Sequence, residues 1–277
     1  MGRYKKILIT GSEGYLGKSL YNYLSKKKFF VKGISKSGSD IKLNLLDQKK
    51  TIKKLNEYKD YTLLHCAGYV PKNLKNYNDK KNITNVTITK NILKSKINNI
   101  YYISTLAIFS KDANITEKKV KITKIHNLYC KTKIKSENLF LNSKKKIKIL
   151  RIPALFGGER KNGLIFNCIK NLKKRSKFKV INNYPLWVGI HIDDITKIIF
   201  EFISKKKINK SVVNFAYKKN YTLNQVIQMI FFYFKKKVKL GKGNAYKNIN
   251  KFNYLSKVSF KKSLKKEIIK IKNNRYV

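Results

Sequence analysis

The sequence predicts an α/β fold, a doubly wound parallel sheet with a smaller C-terminal lobe. Three observations carry this. Short apolar runs alternate with helical patterns through the first 150 or so residues,. A three-glycine turn follows the first of those runs directly, and the regular alternation weakens beyond Pro153,.

The first run, Lys6 to Thr10, ends at Gly11, and Leu16, Leu20 and Leu24 then fall on one side of a helix,. A second run, Phe29 to Ile34, closes a βαβ unit with a right-handed crossover expected,. Thr62 to His65, Ile100 to Ser104 and Ile147 to Arg151 read as further buried strands, with helices over about Val86 to Leu93 and Asn127 to Leu141,. Gly157, Gly158, Gly163 and Pro185 then separate shorter elements, and Ile192 to Ile203 reads as a helix that returns to the first domain,. The expected division is therefore residues 1–155 for nucleotide binding and 156–277 mainly for substrate,.

Composition narrows the function classes. The 277 residues hold 65 Lys and Arg against 14 Asp and Glu, a net charge of +51. Such a field draws in phosphate-bearing ligands, and it also raises the question of nucleic acid. The arginines are few (Arg3, Arg151, Arg160, Arg175, Arg275), no nucleic-acid-reading motif is present, and the excess of Lys, Ile, Asn, Tyr and Phe matches A/T-rich codon drift,. No nucleic-acid partner is therefore expected. Cys66, Cys130 and Cys168 show neither disulfide nor zinc spacing, which predicts a reducing compartment and no metal,. The apolar runs are too short to span a bilayer, and Met1 leads almost directly into the first strand, so a cytoplasmic protein without a signal peptide or membrane insertion is expected,.

Gly11, Gly14 and Gly17 form a GxxGxxG turn between strand and helix. Glycine suits that place because the turn is tight, a pyrophosphate must approach the backbone, and the helix must pack close to the sheet. The helix N-terminus then offers amide donors and partial positive charge to phosphates. This is a dinucleotide-binding signal, with Tyr15 and Leu16 inside it. Farther on, Tyr129 and Lys133 lie four apart on a predicted helix and share a face,. An ammonium beside a phenol favours phenolate, so the pair is expected to move a proton at neutral pH.

Together with Ser104-Thr105-Leu106-Ala107-Ile108-Phe109, Tyr129-Cys130-Lys131-Thr132-Lys133, His65-Cys66-Ala67-Gly68, Asn85-Val86, Arg151 to Gly157 and His191-Ile192-Asp193-Asp194, the glycine turn resembles the extended short-chain dehydrogenases, specifically the NAD-dependent epimerase/dehydratase family. The resemblance runs to Ser263-Leu264 at the start of a last helix. It implies a Rossmann domain and an enzyme acting on a nucleotide-linked sugar, in polysaccharide or glycan precursor synthesis. A homodimer is compatible with it. Tyr129 would be the acid/base, Lys133 would bind the nicotinamide ribose, and Thr105 would hydrogen-bond the reacting oxygen, with Ser104 beside it at the substrate. Asn44 and Leu45 would meet the adenine, and Ala67, Gly68 and Pro153 would line the cofactor.

Departures from the family pattern refine the reaction. Ser35 stands where NAD-using members carry an acid for the ribose hydroxyls, and Lys36 follows, which favours NADP over NAD although Glu13 in the glycine turn points mildly the other way,. Leu106 and Ala107 replace the Asp-Glu pair that dehydration needs,. A keto-sugar reductase is the leading expectation, a 4-epimerase the runner-up, and a non-catalytic dinucleotide-binding protein the third. Ala154 and Trp187 replace residues usual in epimerases; Arg160 or Lys161 would meet the substrate pyrophosphate, and Trp187 either stacks on a base or fills the lobe. His191 is expected to be structural, beside Asp193 and Asp194,.

Overall fold

The computed structural model describes residues 5–27, 29–72, 74–109, 127–174, 188–205, 210–219, 221–238, 240 and 254–273. The chain divides into two compact units. Unit one holds residues 1–108, 117–152 and 199–213, and unit two holds 109–116, 153–198 and 214–277.

In chain order the first unit runs β1 (Lys5–Thr10), α1 (Tyr15–Ser25), β2 (Phe29–Ser35), β3 (Ile41–Lys42), α2 (Gln48–Glu57), β4 (Thr62–His65), α3 (Thr84–Leu93), β5 (Asn99–Thr105), α4 (Leu128–Leu141) and β6 (Lys146–Ile152). The elements of the second stretch are β7 (Ala154–Phe156), α5 (Leu164–Lys173), β8 (Gly189–His191), α6 (Ile192–Ser204), β9 (Val212–Tyr217), α7 (Leu223–Tyr233), β10 (Tyr254–Ser256) and α8 (Phe260–Asn273). The unit boundary falls inside α6 and inside β9.

The main sheet has the order β10-β9-β6-β5-β4-β1-β2-β3, while β7 and β8 form a small separate pair. Strands β1 to β6 pair in parallel throughout. The chain winds outward from β1 through β2 to β3 and then returns to β4 on the other side of β1. That reversal opens a crevice at the carboxyl ends of β1 and β4, the place where doubly wound sheets bind ligands.

The strands read as unbroken apolar runs because both faces of a parallel sheet are covered by helices. Leu8, Ile34, Leu63, Ile100, Tyr102 and Ile149 from the strands pack with Leu55, Ile92 and Phe140 from α2, α3 and α4, all at 2% exposure or less. Each such side chain contributes about 1.5–3 kcal/mol by leaving water. Helix starts are set locally. Asp47 accepts the Lys50 N–H at 3.0 Å to cap α2, and Asn127 accepts the Cys130 N–H at 2.9 Å to cap α4,. Thr222 and Gln225 form a reciprocal capping box on α7,. Among the described residues no helix is long and apolar enough to cross a membrane.

Candidate active site

The glycine turn leaves β1 at Thr10. The Gly11 and Ser12 amides both donate to the Ile34 carbonyl, at 2.8 and 3.2 Å, which clamps the turn onto β2. Gly11 has φ +70°, a left-handed conformation that only glycine adopts cheaply, and a Cβ there would lie 2.8 Å from the Ala67 nitrogen,. A Cβ on Gly17 would collide with the Gly11 carbonyl. Helix α1 follows the N-cap Gly14 with no side-chain cap, whereas α2, α4 and α7 each have one. An end of this form offers its dipole to an anion. Leu16 is buried in the core and Tyr15 is half-buried.

The loop after β4 is held against this turn. The Thr10 hydroxyl lies 2.7 Å from His65 Nδ1 and accepts the Ala67 N–H at 3.3 Å. Asn85, at the start of α3, accepts the Tyr69 N–H at 2.7 Å through Oδ1 and donates to the Tyr69 carbonyl at 3.1 Å through Nδ2. Ala67 and Gly68 are thereby fixed between Gly11 and α3. Burial drives the His65 imidazole down to about 3, with the Lys133 charge adding to the effect, so the ring is neutral,.

At the end of β2, Ser35 Oγ donates to the Gly38 carbonyl at 2.5 Å and accepts the Gly38 N–H at 3.0 Å, while Lys36 is exposed. Asp40, an exposed acid in this loop that the sequence did not single out, accepts the Gly33 N–H at 2.7 Å and the Tyr21 hydroxyl at 3.0 Å through Oδ2. Asn44 is exposed and its Oδ1 accepts the Leu46 N–H at 3.2 Å. Leu45 is buried, and its carbonyl accepts from Asn91 at 2.9 Å.

The proposed catalytic side chains meet where β5 ends beside α4. The Thr105 hydroxyl lies close enough to the Tyr129 phenol to act on it, and it accepts the Ala107 N–H at 3.1 Å. Tyr129 is 6% exposed, and burial pushes its phenol well above the ordinary range, with Cys130 and Tyr77 adding to the rise and the Thr105 hydroxyl opposing it,. This corrects the expectation that Lys133 holds the phenol down. The Lys133 ammonium instead donates to the Ile103 carbonyl at 2.6 Å and lies over the Tyr102 ring, 4.3 Å from its centroid,. Burial lowers the Lys133 ammonium to about 8, against the opposing pull of Glu137, Cys66 and Cys130.

Ser104 is a second correction. Expected at the substrate, it is 2% exposed and donates to Glu137 Oε1 at 2.5 Å. Successive strand residues point to opposite faces, so Thr105 takes the site face and Ser104 the interior. Glu137 also accepts from Arg151, at 3.1 and 3.2 Å from Nε and at 2.6 Å from Nη2. Sequence reasoning missed this buried pair. The available signal was an acid one helical turn past Lys133 and an arginine inside an apolar strand.

In the second unit, Pro153 is buried and Ala154 is exposed. Arg160 is half-buried, donating to Asn162 Oδ1 at 2.5 Å and to the Leu155 carbonyl at 3.2 Å, and Lys161 is exposed. Trp187 lies outside the described residues. His191 is 2% exposed: Nδ1 accepts the Asp193 N–H at 3.2 Å, so Nε2 carries the proton and faces Glu267 Oε2 at 3.2 Å,. Both ring nitrogens are thus engaged, and Glu267 is a partner that the sequence did not reveal. Asp194 accepts from the Tyr217 and Ser263 hydroxyls, each at 2.5 Å. Among the described residues no cluster of His, Cys, Asp and Glu is arranged to hold a metal.

A family model for the RmlD substrate binding domain matches residues 5–236. Bovine methionine adenosyltransferase 2 subunit beta is 23% identical over 217 residues, covering 75% of this chain and 65% of that protein. Its Xenopus tropicalis counterpart is 26% identical over 164 residues, covering 57% and 49%. The chain thus spans less than two thirds of the length of these curated relatives.

Among solved structures, the Bordetella bronchiseptica enzyme WbmG in complex with NAD superposes with a TM-score of 0.76 at 16% identity, covering 97% of this chain and 94% of that one. The Bacillus cereus UDP-glucuronic acid 4-epimerase, with UDP-glucuronic acid and NAD, gives 0.76 at 20% identity, covering 96% and 99%. The dTDP-4-dehydrorhamnose reductase of Bacillus anthracis, with NADP, gives 0.74 at 18% identity, covering 98% and 99%. At these identities the likeness is one of fold, and it is the Rossmann fold that the strand order already describes. The match over residues 5–236, on that fold, makes the chain a member of the RmlD substrate-binding-domain family, within the extended short-chain dehydrogenases.

Proposed function

We propose that the protein is an NADP-preferring reductase of a nucleotide-linked keto-sugar, with Tyr129 as the proton donor. The observation that carries this reading is the convergence of the Thr105 hydroxyl, at the carboxyl end of β5, with the buried Tyr129 phenol on α4, with Lys133 one helical turn along that helix. A phenol pushed up by burial stays protonated at neutral pH, and the oxygen of a reduced carbonyl must gain a proton,. Thr105 orients the phenol and offers a second hydrogen bond to the same substrate oxygen.

The residues present suit a dinucleotide. Gly11, Gly14 and Gly17 keep side chains out of the turn, and α1 presents an uncapped start to a pyrophosphate,. The cofactor, when bound, supplies the hydride. Lys133 is the cation for its nicotinamide ribose, and Asn44, Leu45, Ala67, Gly68 and Pro153 are the remaining contacts assigned to it. Ser35 and Lys36 close β2, the Ser35 hydroxyl is spent on Gly38, and Asp40 is engaged with Gly33 and Tyr21, so a 2′-phosphate meets the exposed Lys36 ammonium instead of a free carboxylate,. Arg160 and Trp187 remain the candidates for the diphosphate and base of the substrate. Leu106 and Ala107 supply no second acid and base, which argues for reduction over elimination.

Purified protein incubated with NADPH and a dTDP- or UDP-4-keto-sugar is expected to consume NADPH in proportion to product. Turnover of a 4-hydroxy sugar without net cofactor use shifts the assignment to the 4-epimerase, the activity named for one of the structural neighbours. A second reading is favoured by the curated relatives, whose name is that of a subunit of a methionine adenosyltransferase. In that reading the chain is a non-catalytic dinucleotide-binding subunit, and dinucleotide binding with no turnover, unchanged in Tyr129→Phe, establishes it.

A further inference from the structure

Three successive residues at the end of β5 meet one face of α4. The Ile103 carbonyl accepts from Lys133, the Ser104 hydroxyl donates to Glu137, and the Thr105 hydroxyl lies beside the Tyr129 phenol. Tyr129, Lys133 and Glu137 follow at four-residue steps, one turn apart on the helix,. Arg151 sits directly across from Ser104 in the β5–β6 register, so two neighbouring strands reach the same carboxylate.

We infer that Glu137 is a positioning residue of the site: paired with Arg151 and bonded by Ser104, it locks α4 to the end of β5 and keeps Lys133 as an ammonium on the Ile103 carbonyl.

The location of the pair argues for a role beyond packing. Arg151 is fully buried and the Glu137 side chain is 2% exposed, whereas the lysine pairs at Asp47, Glu57 and Asp193 lie at the surface. Stripping water from two charges costs free energy that an apolar pair would not, so the fold gains little from a buried ion pair as such. This one stands a single turn from the Lys133 ammonium, which is itself buried in a chain of net charge +51. The groups facing Lys133 are His65 and Cys66 after β4, Tyr102 on β5, and Cys130 and Glu137 on α4. His65 is neutral and the two thiols are pushed up by burial, to about 12 for Cys66 and about 11 for Cys130, so both stay protonated. That leaves the Glu137 carboxylate as the countercharge among them.

The inference rests on the reading of Lys133 as a cofactor ligand, and its test does not. Protein labelled with carbon-13 at the lysine ε position is titrated by NMR, with Lys133→Met identifying the Lys133 signal. In the unmodified chain this signal is expected to titrate near 8. Glu137→Gln should lower that midpoint by about a unit, tenfold in proton affinity, and weaken NADPH binding above it. The double variant Glu137→Gln/Arg151→Met removes both members of the ion pair, so that Arg151 is not left buried without its carboxylate, and it should show the same direction of shift if the single variant does not fold. Variants that melt earlier with the Lys133 midpoint unmoved overturn the inference, because Glu137 is then only structural. A shifted midpoint in a chain that binds no dinucleotide supports the inference and removes the proposed function.

Discussion

Gly17 faces the carbonyl of Gly11 with no room for a methyl group between them. The first turn of α1 therefore rests directly on the backbone of the glycine turn, and a side chain at position 17 must push helix and turn apart. Gly17→Ala is expected to cost about 1–3 kcal/mol, the usual range for overpacking a tight contact. Because the displaced atoms are those that the proposed function assigns to a pyrophosphate, NADPH affinity should fall with stability. Urea denaturation and fluorescence titration of NADPH check the two effects, and a variant with both unchanged would contradict the close contact.

Tyr129→Phe removes one hydroxyl from a buried ring that also packs edge-on against Tyr77. The ring fills the same space, so dinucleotide affinity and melting temperature should change little. Turnover of the keto-sugar should fall by roughly 10²–10⁴, the contribution of a positioned general acid. Thr105→Val should cost less, since it leaves the proton donor in place and removes the hydroxyl proposed to orient it and the substrate oxygen. Equal turnover in Tyr129→Phe and the unmodified chain would remove the proton-donor role.

What the sequence made legible was local. The strands expected near β1, β2, β4, β5 and β6 and the helices expected near α3, α4 and α6 fall within two residues of their expected ends, because apolar runs and helical periodicity report on their own neighbourhood; the last helix starts at Phe260, three residues before Ser263,. The orientation of Ser104 was not legible, since two adjacent hydroxyls on a strand look alike until the sheet fixes which one faces inward. Glu137 and Arg151 were hidden for another reason: they are 14 residues apart on different elements, and their pairing depends on the parallel register of β5 and β6. His191 and Glu267, 76 apart, pose the same problem more strongly. The effect of Lys133 on Tyr129 was misjudged because spacing on a helix says nothing about the nearby Ile103 carbonyl that takes the ammonium.

The Tyr217 hydroxyl in the second unit serves two neighbours, donating to Asp194 at 2.5 Å and accepting the His191 N–H at 3.1 Å. Tyr217→Phe leaves that buried N–H without this acceptor and Asp194 with one donor fewer. The cost should be about 1–3 kcal/mol, that of stranding a buried polar group. Chemical denaturation measures it, and a neutral result would mean that water or another side chain replaces the hydroxyl.

His65 gives the protein a pH dependence whose sign follows from burial. In the folded chain its imidazole is held down to about 3, whereas in the unfolded chain it titrates near ~6.5,. Between those values the unfolded state binds a proton that the native ring refuses, so acid favours unfolding through this window and the effect is absent above it. At pH 5 the contribution is about 2 kcal/mol. His65→Asn retains an acceptor for the Thr10 hydroxyl without a titrating group, so its stability should fall less between pH 7 and pH 5 than that of the unmodified chain. Urea denaturation at both pH values tests the difference. Parallel losses in the two proteins would show that His65 protonates in place, and that the crevice beside β4 admits more water than its burial implies.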